Sequence, residues 1–255
     1  MLGFWKIFGL ICPLVFFAGF IDAVAGGGGI ISLPAYLMAG VPVHFAAGTN
    51  KVVNCIGTSV AAGKYLRSGK VRLQAALWAA AGALAGASIG TRLALLCSEK
   101  TLQMIITIVL PVTAMFLTLR KDFGETDGTK ETSPGKEKLL SVVIGLGIGC
   151  YDGLIGPGTG TFMIMAFTAV LGLDLLTASG CAKVGNLASN VASAVVFILN
   201  GKVLWSVVLP AVLCNVLGNY AGARYAIRGG SKKVRSAMFA VLGLLFAKTL
   251  WGLLK

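Results

Sequence analysis

The sequence predicts an all-α integral membrane protein built from two inverted repeats of about five segments each. Three observations lead there. First, 56% of the 255 residues are hydrophobic and only 12% are charged, against about 45–50% and 25% in soluble domains. Mean hydropathy is +0.87, so a water-soluble surface cannot be built. Second, the apolar runs are long and continuous, unlike the short alternating strands of a membrane β-barrel. Third, polar residues inside those runs recur at a fixed offset. Disordered, collagenous and small disulfide-rich classes are excluded as well. The net charge of +13 does not imply nucleic acid, because Lys and Arg collect in the cytoplasmic loops of membrane proteins.

The segments follow in order. In the first half they span about 7–25, 29–40, 50–66, 72–97 and 101–119. Residues 121–138, half of them charged, form a polar linker. The second half continues with about 139–155, 160–173, 183–199, 203–226 and 233–253. The organisation is one transmembrane domain over 1–255, with repeats at 1–120 and 139–255. The second segment of each half is too short for the roughly 20 residues of a full crossing. Each follows a glycine-rich break, so broken helices or re-entrant hairpins are expected there. Residues 7–25 also imitate a secretory signal peptide, but the same pattern recurs in mid-chain, where no signal peptidase acts.

The repeat rests on matched polar residues. Asp22 pairs with Asp152, Gly26 with Gly156 and Gly28 with Gly158; beyond a two-residue insertion the offset becomes 132. It then pairs Lys51 with Lys183, Asn54 with Asn186, and Arg92 with Arg224. Two basic clusters orient the halves. Lys64, Arg67, Lys70 and Arg72 follow the third segment of the first half, whereas Arg224, Arg228, Lys232, Lys233 and Arg235 follow the fourth segment of the second. Placing both clusters and the linker in the cytoplasm makes the repeats inverted, with an odd number of passes per half, an arrangement typical of secondary transporters; an even number per half, giving parallel repeats, is the alternative.

The candidate site is built around the two breaks: Asp22 with Gly26, Gly27, Gly28 and Gly29, and Asp152 with Gly156, Pro157, Gly158, Thr159 and Gly160. Glycine permits φ > 0 and close backbone approach, and Pro157 removes a donor. Irregular backbone at membrane depth must line a cavity or be covered by protein. A helix starting after such a break presents free N–H groups suited to an anion. Asp22 and Asp152 are either coupling groups or structural ones, bonding freed N–H groups or pairing with Lys51 or Lys183. Thr49, Asn50, Lys51 and Asn54, with Lys183 and Asn186, add a polar helix face, continued by Thr58, Ser59, Ser189, Asn190 and Ser193. Each buried Lys needs a counter-charge, from protein or from an anionic substrate. Arg92 and Arg224 are anion-binding forks or interface anchors. The glycines at 86, 90, 218 and 222 fit small-xxx-small helix packing. Six cysteines without a CxxC pair, and the single His44, offer no metal site or cofactor. No nucleotide motif is present, since GGGG lacks the Gly-Lys-Ser/Thr of a P-loop.

These motifs, DAVAGGGGIISLP, GTNK and YDGLIGPGTGTF, closely resemble the TauE/SafE family of membrane transporters, also called TSUP, and within it the short YfcA-type members. The resemblance covers essentially the whole chain. It implies a multi-pass permease of the bacterial inner membrane, mostly an exporter, for small anions such as sulfite and organosulfonates. It implies no cofactor, nucleotide or nucleic acid; the partners are the anion and the bilayer, and a homo-oligomer is allowed. One departure is Cys181-Ala182-Lys183 against Thr49-Asn50-Lys51, which makes the half-sites unequal. An anion channel of the same architecture is the alternative. A membrane-embedded enzyme fits poorly, because His44 and two separated Asp supply no catalytic cluster.

Overall fold

A computed structural model describes residues 3, 6–119 and 133–253, with side chains described at 3, 7–109 and 133–237. Most of the expected linker, residues 120–132, lies outside the described residues. No strand occurs among them. The apolar start forms a π-helical turn, Lys6–Ile11, running into α1, Cys12–Ala25. Together Ile7–Ala25 gives 19 residues long and apolar enough to span a membrane. α1 stops at Gly26, which sits at φ 79° and donates its N–H to the Asp22 carbonyl, the left-handed helix end that glycine favours. α2, Gly29–Met38, then has only 10 residues, about 15 Å or half a bilayer core.

α3, Val43–Arg67, α4, Leu73–Leu96, and α5, Glu99–Leu119, complete the first half. The second half repeats the order with α6, Pro134–Leu154, α7, Thr159–Leu171, α8, Leu175–Leu199, and α9, Trp205–Leu253. α9 is two helical arms meeting at Gly230, φ 65°, so the expected break between the last two segments is a single kinked position. The helices Leu73–Leu96, Leu175–Leu199 and Trp205–Ala237 also meet membrane-spanning length and apolarity. α3 matches α8 at 25 residues. It begins at Val43 rather than at 50, and α8 at Leu175 rather than at 183. Reading apolar runs ends a segment at Thr-Asn-Lys or Cys-Ala-Lys, whereas the helices continue through these residues because neighbouring helices bury them.

The helices pack reciprocally across the halves. α1 lies on α9 and α6 on α4; α3 meets α9, α8 meets α4, and α3 meets α8. Small residues make the closest of these contacts. A Cβ at Gly86 or Gly90 would lie 2.1 or 2.0 Å from the Leu146 or Cys150 carbonyl oxygen of α6. At Gly218 or Gly222 it would lie 2.1 or 2.3 Å from the Phe16 or Phe20 oxygen of α1. Backbones this close gain dispersion energy where lipid supplies no hydrophobic drive between helices.

The linker's expected end at 138 also shifts, since α6 begins at Pro134. Glu137 in its first turn is 3% exposed, with Oε2 2.7 Å from Arg72. At the head of α8, Asp174 accepts N–H bonds from Leu176 and Thr177 and a hydroxyl bond from Ser231. That ties α8 to the arm of α9 beyond the kink. Burial pushes the Asp174 carboxyl up, but bonds from Thr177, Ser231 and Leu176 outweigh it and hold its pKa below the ordinary range.

Two stability outcomes follow. Gly26→Ala should cost about 3 kcal/mol or more, from strain at positive φ and overpacking, since its Cβ would lie 2.2 Å from the Gly160 carbonyl carbon. Gly147→Ala, in a helix with open space around it, should be neutral or stabilise by up to about 1 kcal/mol; thermal unfolding in detergent compares them. Asp174→Ala should cost about 1 kcal/mol at neutral pH. Because the folded pKa is depressed, wild type should lose this contribution as pH falls below about 4. A pH series of melting temperatures for both proteins checks it.

Candidate functional site

The two glycine breaks touch. Thr161 donates its amide to the Gly26 carbonyl and its hydroxyl to the Ala25 carbonyl. A Cβ at Gly160 would fall 2.5 Å from Gly26 Cα. Gly26 and Gly156 both hold positive φ, 79° and 91°. Gly28 is right-handed at −57° while Gly158 is left-handed at 86°, so the paired breaks share one conformation and differ in the next. Tyr151 closes the second break with a 2.6 Å bond to the Pro157 carbonyl.

Beside this crossing, each buried lysine meets the carboxylate of the other half. Lys51 Nζ lies 2.7 Å from Asp152 Oδ1, and Lys183 Nζ lies 2.7 Å from Asp22 Oδ2. Lys51, Lys183, Asp22 and Asp152 are all at most 9% exposed. The counter-charge each lysine requires is therefore supplied by protein. The pairs are unequal, however. Asp152 also accepts hydroxyl bonds from Thr159 and Ser189, whereas the side-chain bond to Asp22 comes from Lys183.

The pairs border a cavity of about 20 Å³, lined by Asp22, Gly26, Gly29, Asn50, Lys51, Asn54, Asp152, Gly156, Thr159, Gly160, Asn186 and Asn190. That is room for about one water, so the site is closed in this conformation. Eleven of these residues stand among the sequence-predicted set, and Asn190 belongs to the polar stripe. Gly27, Gly28, Pro157 and Gly158 shape the breaks without lining the cavity. Thr49 does not line it either; its hydroxyl accepts the Leu204 N–H. Lys183 is fully buried against Asp22 behind the lining. Arg92 and Arg224 are both exposed and outside the cavity.

Sequence reasoning missed Asn215 and Asn219 on α9. Asn219 donates to Asn215, Asn215 to Asn54, and Asn54 to Asn50, a relay of amides running outward from the cavity. Two asparagines at i, i+4 in an apolar helix were the signal. No group of three metal-ligating residues occurs among the described residues.

The profile of the sulfite exporter TauE/SafE family matches residues 11–249. The chain belongs to this family. It is 38% identical over 226 residues to a "probable membrane transporter protein" of a Sinorhizobium species, covering 89% of this chain and 85% of that one. It is 30% identical over 245 residues to the "probable membrane transporter protein YfcA" of Escherichia coli K12, covering 96% and 90%. A Bacillus subtilis relative, "probable membrane transporter protein YdhB", is 22% identical over 230 residues, covering 89% and 93%. No solved structure matches. The TauE/SafE chain described here is thus a membrane transporter by family, with four buried ionisable side chains paired across its halves.

Removing one partner of a buried pair leaves an uncompensated charge costing about 3–5 kcal/mol. Lys51→Met should therefore destabilise by about that amount, and Lys51→Met with Asp152→Asn should regain most of it. Equal stability of the single variant and wild type in detergent unfolding would contradict the pairing.

Proposed function

We propose that the protein is a secondary transporter of small anions, with sulfite and organosulfonates as substrates, acting as an exporter in the bacterial inner membrane. The observation that carries this reading is the crossed pair of buried ion pairs at two touching glycine breaks. Four formal charges held at a closed cavity cost desolvation energy that a merely structural core would avoid. Reciprocal packing of the halves supports an inverted repeat, and alternating access by one half against the other. The linker, shortened to 121–133 by the start of α6, faces the cytoplasm in this arrangement.

Anion binding follows from the charge count. With the four groups ionised, the site sums to zero. An anion gains a partner only when a lysine leaves its carboxylate. Lys51 is the candidate ligand because it lines the cavity, with Asn50, Asn54 and Asn186 as neutral donors beside it. Asp22 is the candidate coupling group: its lysine is its side-chain partner, so a proton or cation at Asp22 would release Lys183 and balance the bound anion. The closed cavity favours a transporter over an open channel.

Purified protein in proteoliposomes should carry sulfite and sulfoacetate with saturable uptake and stimulation by substrate on the opposite side. Lys51→Met with Asp152→Asn, which restores neutrality, should lower that flux about 10- to 100-fold, the worth of one charged hydrogen bond. Flux that neither saturates nor exchanges would indicate a channel. Undiminished flux in the double variant would remove Lys51 from the site.

A further inference from the structure

A second cavity lies apart from the central one, between the end of α3 and the middle of α9. Its volume is about 550 Å³, and Lys64, Arg67, Arg224 and Arg228 line it with Ser68 and Tyr220. No carboxylate lines it among the described residues. Lys64 Nζ sits 3.7 Å from the centre of the Tyr220 ring, which holds one of the four cations in place without neutralising it. The sequence separates these cations into two basic clusters; the packing of α3 on α9 brings them to one pocket.

The same two helices connect the pocket to the central cavity. Lys64 stands about 15 Å along α3 from Asn54, and Tyr220 follows Asn219, the outer end of the amide relay. Between them Thr58 Oγ1 and Asn219 Oδ1 are buried without a hydrogen-bond partner. Thr58 is 0% exposed and Asn219 1%. Unpartnered polar atoms are expensive when buried, and a polar occupant between α3 and α9 would satisfy these two.

The counterpart positions lack the four-cation cluster and the asparagine pair. At the offset of 132, Lys64, Arg67, Arg224 and Arg228 correspond to Val196, Leu199, Arg92 and Leu96, and Asn215 and Asn219 correspond to Ala83 and Ala87. We propose that the Lys64/Arg67/Arg224/Arg228 pocket is the mouth that captures the transported anion on one face of the membrane, and that the α3–α9 seam beneath it is the path to the central cavity. This rests on the anion-transport reading above. A cleft lined by one sign of charge concentrates counter-ions and raises association rates. In an inverted arrangement the other face carries one of these cations, so capture is stronger on one side.

The test uses full-length protein in neutral phosphatidylcholine vesicles, sorted by orientation, with sulfite added to either face. Arg67→Gln with Arg228→Gln should raise KM about 10-fold at low ionic strength from the pocket face, with kcat within two-fold. The effect should shrink to within two-fold at about 0.5 M salt, and KM from the opposite face should not change. A second readout needs no flux. In a chain whose cysteines are changed to alanine, Thr58→Cys should react faster with an anionic thiosulfonate reagent than with a cationic one. The arginine substitutions should abolish that preference. Equal KM changes from both faces, or no reagent preference at Thr58→Cys, would overturn the proposal. So would a requirement for anionic lipid that the arginine substitutions remove while leaving the sided KM intact, since the pocket would then hold a lipid head group. Wild-type protein that moves no sulfur oxyanion but retains the reagent preference would defeat the substrate reading and spare the pathway.

Discussion

The structure depends on having two lysines and two aspartates buried away from bulk water. An ionised side chain alone at membrane depth is costly, and four of them are tolerable only as close pairs. The pairing that occurs is between halves, Lys51 with Asp152 and Lys183 with Asp22. Much else follows from that. α3 and α8 must lie side by side to present their lysines, and α1 and α6 must end close enough to deliver their carboxylates. The breaks after Asp22 and Asp152 must be narrow enough to cross, which only glycine at Gly26 and Gly160 permits.

Neutrality at the centre and positive charge at the α3–α9 end divide the work between two sites. The centre is small, closed and balanced, which suits discrimination in the proposed transport; the outer pocket is wide and unbalanced, which suits gathering. Asparagines suit the ground between them. They donate and accept without carrying charge, and so leave the field of the outer pocket undisturbed while keeping the seam polar.

The fold class, the two breaks and the cavity-lining residues were legible because clustered glycines and polar groups in apolar sequence have few structural uses. Repetition of Asp22, Lys51 and Asn54 in the second half made them more so. The partnering was not legible. Lys183 and Asp22 are 161 positions apart, and nothing local says which carboxylate a lysine will meet. Asn215 and Asn219 escaped for a related reason: a search for matched residues passes over positions whose counterparts are Ala83 and Ala87. Glu137 looked solvated among charged neighbours, but it is buried at the head of α6 with one oxygen on Arg72. Helix starts at Val43 and Leu175 were hidden because a hydropathy reading treats a buried polar face as a loop.

The crossed pairing also bears on how the chain is made. Synthesis delivers the first half before the second exists. Asp22 and Lys51 therefore reach the bilayer with neither of their final partners available. Until α6 and α8 arrive, these two groups must satisfy each other or stay near the water interface. Insertion of the first half is provisional, and its charges are settled only when the second half threads among its helices. A fragment ending at the linker would hold Asp22 and Lys51 without the partners that the full chain gives them.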